Sequence, residues 1–119
     1  MIVEQEFLLK VVFYRSESGN EPVRVWLKGL PRDYKRRIGE DIKTVQLGWP
    51  LGMPLIRKIG KDIWEVRTTL ESGISRIFFT VDDEYMILLH GFIKKTQKTP
   101  LNELNTALTR LGSYKRGKR

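Results

Sequence analysis

The 119-residue chain carries 22 lysines and arginines against 14 aspartates and glutamates, a net charge of +8, with no cysteine and one histidine. Disulfides, thiolate metal centres and histidine clusters are therefore excluded, and the basic balance points to an anionic partner such as nucleic acid. No apolar run approaches the roughly 20 residues of a membrane span, and Met1–Glu6 lacks a basic leader region, so a cytoplasmic single domain over residues 1–119 is expected.

Glu6–Tyr14 is almost continuously apolar and reads as a first strand. Ser16–Asn20 is a turn cluster, and Pro22 opens a short helix whose Val23, Trp26, Leu27 and Leu30 share one face. A longer helix is predicted over Pro31–Leu47. Tyr34, Ile38, Ile42 and Val45 line its apolar side, and Gly48-Trp49-Pro50 stops it. Four strands follow: Leu55–Ile59, Asp62–Leu70, Ile74–Val81 and Tyr85–Ile93. The short turns between them imply an antiparallel meander.

Thr99 as N-cap and Pro100 at the first helical position start a last helix. Its apolar side is predicted as Leu101, Leu104, Leu108 and Leu111, with Gly112 ending it before a mobile basic tail over residues 113–119. The expected fold class is α+β in the order β-α-α-β-β-β-β-α, with the helices packed on one face of the sheet.

Strand parity sorts the charges. With two-residue turns at Ser72-Gly73 and at Asp82-Asp83 or Asp83-Glu84, one face collects Trp64, Val66, Ile77, Phe79, Val81, Met86, Leu88, His90 and Phe92. The opposite face collects Glu65, Arg67, Arg76, Phe78 and Lys95. A three-residue turn at Glu71-Ser72-Gly73 would instead separate Arg67 from Arg76. Parity makes His90 a structural histidine on the helix-packed face. Arg57, Lys58 and Lys94 extend the cationic cluster, and Lys98 ends the run Lys94-Lys95-Thr96-Gln97-Lys98 that closes the last strand.

Arg67 in Trp-Glu-Val-Arg, Arg76 in Gly-Ile-Ser-Arg-Ile-Phe-Phe, and Leu-Leu-His-Gly-Phe-Ile-Lys-Lys-Thr-Gln-Lys-Thr-Pro together resemble the phage-derived, HigB-type branch of the RelE/ParE toxin superfamily, over about Phe7 to Leu111. The resemblance implies a RelE-like fold and the toxin of a type II toxin–antitoxin system. It further implies a metal-independent, ribosome-dependent mRNA endonuclease without a cofactor, neutralised by a HigA-like helix-turn-helix antitoxin.

By the same resemblance Arg67 contacts the scissile phosphate, Lys95 with Lys94 supplies a second catalytic cation, and Arg57 and Lys58 lie on a basic, RNA-binding strand. Arg76 matches a recurrent strand arginine. Tyr114 is the one candidate for the base-stacking tyrosine that many relatives carry near the C-terminus. Chemically, arginine suits phosphorane stabilisation, Lys94 or Lys95 suits proton transfer, and Glu65 is a weaker candidate for the base. A ParE-like DNA gyrase inhibitor and a non-catalytic nucleic-acid-binding module are the alternative readings.

Overall fold

A computed structural model describes residues 8–50, 56–95 and 100–117. The elements run β1 (Lys10–Phe13), α1 (Pro22–Lys28), α2 (Arg32–Gly48), β2 (Ile56–Gly60), β3 (Ile63–Leu70), β4 (Gly73–Asp82), β5 (Tyr85–Lys94) and α3 (Leu101–Gly117). Pro22 at the first helical position starts α1, since its missing N–H has no helical partner to lose there. Strands β2 to β5 form the expected antiparallel meander. The first strand then joins the far side of β5 in parallel, giving a mixed five-stranded sheet of order β1-β5-β4-β3-β2. This α+β architecture is consistent with a RelE-like fold.

Both hairpin turns hold two residues. Leu70 pairs with Gly73, so the first turn is Glu71-Ser72, one residue earlier than predicted but with the same parity. Asp82 pairs with Tyr85, leaving Asp83-Glu84 at the second. Asp83 adopts φ +53°, a left-handed conformation that aspartate tolerates better than most side chains. Tyr34 ties α2 to the first turn: the Ser72 N–H donates to its hydroxyl, which lies 2.8 Å from Ser72 Oγ.

The helices do not share one face. On one side α1 and α2 cover Val66, Leu70, Ile77, Phe79, Met86 and Leu88 with Val23, Ile38, Ile42 and Val45. On the other, α3 covers Ile63, Phe78, Ile87, Leu89 and Phe92 with Ala107 and Leu111. The expectation of a single covered face fails because β4 and β5 are apolar on both sides: Phe78 and Phe79 are both fully buried, as are Ile87, Leu88 and Leu89 within about 1%. A strand with no polar face needs a layer on each side.

The last helix also differs in register. Leu101 and Leu108 are exposed, and the buried side is Leu104, Ala107, Leu111 and Tyr114. Gly112 does not end it, so residues 113–117 of the predicted tail are helical. Tyr114 donates a 2.6 Å hydrogen bond to Asp82, and Lys115 donates one of 2.8 Å to Asp62. Those two contacts anchor the extra turn to the sheet. Thr99, predicted as N-cap, lies outside the described residues. No helix among the described residues is long and apolar enough to cross a membrane.

Candidate functional site

The α3 side of the sheet carries the charges that parity gathered, and a β-bulge decides which ones. Phe78 pairs with His90 while Phe79 pairs with Leu88, so Leu89 is an extra residue on β5. One inserted residue reverses the alternation of everything after it. His90 and Phe92 therefore join Glu65, Arg67, Arg76 and Phe78 instead of the α1/α2 side, and Ile93 packs with the α1/α2 core. The same shift brings Lys94, two residues after Phe92, to the Arg67 side and takes Lys95 off it. Both lysines are exposed, Lys94 at the end of β5 and Lys95 in the bend beyond.

Two rows cross this face. Arg57, Glu65, Phe78 and His90 sit side by side on β2 to β5, and Arg67, Arg76 and Phe92 form the next row. Glu65 is fully buried and points one oxygen at each of two guanidiniums. Arg67 Nε lies 3.5 Å from its Oε1, and Arg76 Nη1 lies 3.5 Å from its Oε2. Arg76 is as buried as the carboxylate, whereas the Arg67 side chain is 28% exposed.

One buried carboxylate lies between two arginines, and of the three side chains only Arg67 reaches solvent. Arg76 and Glu65 share the face as expected, but both side chains are fully buried there, beside Arg67. Among the described strand residues, Arg57, opposite Glu65, and Lys94 are the other solvent-reaching cations of this face. Lys94 lies two strands across and two residues along from Arg67, roughly 12 Å between Cα atoms, so the two long side chains can meet on one phosphate.

Lys58 does not belong to the group. It pairs with Trp64 on the α1/α2 side, its ammonium 5.8 Å from the Trp64 ring centroid, in cation–π range. Lys98 lies outside the described residues.

His90 is held from both ends by groups the sequence reading missed. Its Nε2 is 2.9 Å from Glu103 Oε1, and its Nδ1 is 3.1 Å from Arg110 Nη1, which also donates to the Leu89 carbonyl at 2.9 Å. Arginine only donates, so Nδ1 accepts and the imidazole proton sits on Nε2, directed at Glu103. The ring stacks near Phe92 at 5.7 Å and Phe78 at 6.4 Å. Burial pulls the Arg110 pKa below its ordinary value, with the Tyr14 phenol acting in the opposite sense. It nonetheless remains a cation at neutral pH. His90 is thus a structural histidine, as expected, though on the α3 side. The seven-residue spacing of Glu103 and Arg110 places both on one side of α3, a signal that the leucine spacing had obscured.

The sequence profile of a family described as Phage derived protein Gp49-like (DUF891) matches residues 25–112, which span α1 through most of α3. No curated protein matches the chain.

Proposed function

We propose, for a chain that belongs to the Gp49-like phage-derived protein family, a RelE/HigB-like toxin family, that it is the HigB-like toxin of a type II toxin–antitoxin pair and acts as an mRNA endonuclease on the ribosome. The observation that carries the reading is Arg67. It is a partly exposed cation on the face of the sheet, paired with a buried carboxylate, with Arg57 and Lys94 on the same face.

In the proposed reaction the 2′-oxygen of one ribose attacks the adjacent phosphorus and the bond from phosphorus to the 5′-oxygen breaks. The products are a 2′,3′-cyclic phosphate and a 5′-hydroxyl. The proton lost from the 2′-hydroxyl passes to solvent, the lysine that protonates the 5′-oxygen regains one from solvent, and no water is consumed overall. Arg67 stabilises the extra negative charge on the phosphorane, which grows in the transition state and is absent from the ground state. Lys94, or Lys95 beyond it, delivers the proton to the leaving oxygen. Glu65 is buried and engaged, and His90 is clamped, so neither serves as base. The ribosome then contributes by holding the 2′-hydroxyl in line, a positioning effect that can supply several kcal/mol, roughly 7–11 at best. A HigA-like helix-turn-helix antitoxin is the proposed neutralising partner.

The same burial of Glu65 and Arg76 favours a second reading, a ParE-like gyrase inhibitor that binds through these cations without cutting. Induction in cells followed by mapping of mRNA 5′ ends separates the two. Codon-linked ends, reduced about 10²–10³-fold in Arg67→Ala, support the nuclease. Intact message with DNA-damage signalling supports gyrase, and undiminished cleavage by Arg67→Ala refutes the site. Relief of growth arrest by the neighbouring gene tests the antitoxin.

A further inference from the structure

On the opposite layer, α1 and α2 diverge above β1 and leave a groove of about 220 Å³ that the Arg67 face does not touch. Its floor is apolar, made by Phe13, Leu27, Ile38 and Ile42. Gly39 opens the wall of α2: a Cβ placed there would meet no atom within 4 Å. The volume falls below the roughly 300 Å³ at which small-molecule pockets begin, and suits one large apolar side chain.

The rim is basic, with Arg24, Lys28 and Lys35. Among the described residues Arg36, Arg37 and Arg24 are neutralised locally, whereas Arg32 and Lys43, away from the groove, form no ion pair. Arg36 binds Asp33 and Glu40, Arg37 binds Asp33, and Arg24 itself binds Glu21. Lys28 and Lys35 form no ion pair among the described residues. An apolar slot flanked by two uncompensated ammonium groups is complementary to a side chain with carboxylates beside it.

We propose that this groove docks an acidic segment of a partner protein, which inserts one large apolar residue beside Gly39 and sets its carboxylates against Lys28 and Lys35. Single-stranded nucleic acid fits less well, because apart from Phe13 the floor is aliphatic and the slot holds about one side chain, whereas strand binding uses several stacking platforms in succession. The docked segment sits on the far side of the sheet from Arg67, so the inference stands whether or not the chain cleaves RNA.

The test is selection of binders to the full chain from a display library of random peptides, with the selected peptides then titrated against variants. Gly39→Leu fills the slot from a helical position where leucine is the better helix former, so the thermal midpoint should hold or rise while affinity falls at least about tenfold. Lys28→Glu with Lys35→Glu should weaken binding about tenfold at low salt, an effect that fades as salt is raised. The selected sequences should be acidic around a Leu, Ile, Phe or Met.

The proposal is overturned if no peptide binds, if the binders are not acidic, or if they bind Gly39→Leu as tightly as the parent chain. Two further results also overturn it. One is a single-stranded oligonucleotide whose binding is lost in the double lysine variant. The other is concentration-dependent self-association of the chain that Gly39→Leu abolishes. Neither depends on Arg67→Ala, so the outcome is separate from that of the cleavage experiment.

Discussion

Exchanging Glu65 for glutamine removes the one negative charge between Arg67 and Arg76 while keeping nearly the same shape. The two contacts are equal in length, 3.5 Å each, but unequal in setting. Arg76 is fully buried, and breaking a buried pair costs about 3–5 kcal/mol because a charge is left without its counter-charge in a poorly solvated place. Arg67 is 28% exposed and can turn toward water, so its share is below about 1 kcal/mol. The expected loss is therefore about 4 kcal/mol. For a chain of this length that lowers the thermal midpoint by about 16 °C. The urea midpoint falls by about 2 M.

Loss of stability alone would not single out the triad, so the informative measurement is a double-mutant cycle. Arg76→Met replaces the buried guanidinium with an apolar side chain of similar length. Combined with Glu65→Gln, it removes both buried charges, and the double variant should be more stable than the sum of the single losses predicts by about 2–3 kcal/mol. Urea unfolding followed by tryptophan fluorescence reads all four corners of the cycle. A coupling under about 0.5 kcal/mol would show that Glu65 does not hold the two arginines together, and the case for a positioned Arg67 would go with it.

Gly91→Ala should cost about 1–3 kcal/mol, because its Cβ would lie 2.5 Å from the Trp26 ring packed over β5; a change under about 0.5 kcal/mol in urea unfolding would mean the indole moves aside freely. Tyr114 has its pKa raised to about 12, first by burial and then by its bond to Asp82. A free phenol ionises near 10, so the folded chain holds more protons above that value. Its contribution to stability is complete below about pH 10 and is lost as pH rises toward about 12. A late phenolate absorbance that persists in Tyr114→Phe would contradict this. For RNA, Arg57→Ala should flatten the dependence of log affinity on log salt by about one contact, and Lys58→Ala should leave the slope unchanged. Equal effects would put both residues on one surface, against the register of β2.

Much of the fold was legible because each element carries its own local signal. Pro22 and the turn residues Asp83-Glu84 fall where the structure starts or reverses the chain, and the spacing of Ile38, Ile42 and Val45 marks the buried side of α2. The parallel pairing of β1 with β5 had no such signal, since it joins residues more than seventy positions apart. The last helix was misregistered because it holds more leucines than it buries. Leucine spacing favoured Leu101 and Leu108, while Ala107, too small to draw notice, is the residue with no exposure at all.

The site was legible up to the bulge and not past it. Arg67, Arg76 and Glu65 precede Leu89 in the register, and parity placed them on one face as the structure does. His90, Phe92 and Lys95 follow it, and parity assigned each of them to the wrong side, while Lys94 was grouped with the cluster without a parity argument. A bulge changes no composition and breaks no apolar pattern in a strand that is apolar on both faces, so Leu88-Leu89 reads identically with or without it. Its consequence is nevertheless chemical. Without the extra residue Lys95, in the bend, would face Arg67 and His90 would lie under α1 and α2. With it, Lys94 at the end of the strand takes that position, and the imidazole meets Glu103 and Arg110. The cation opposite Arg67 is thus set by one inserted leucine, and Lys94→Ala should impair any phosphate-dependent activity more than Lys95→Ala does.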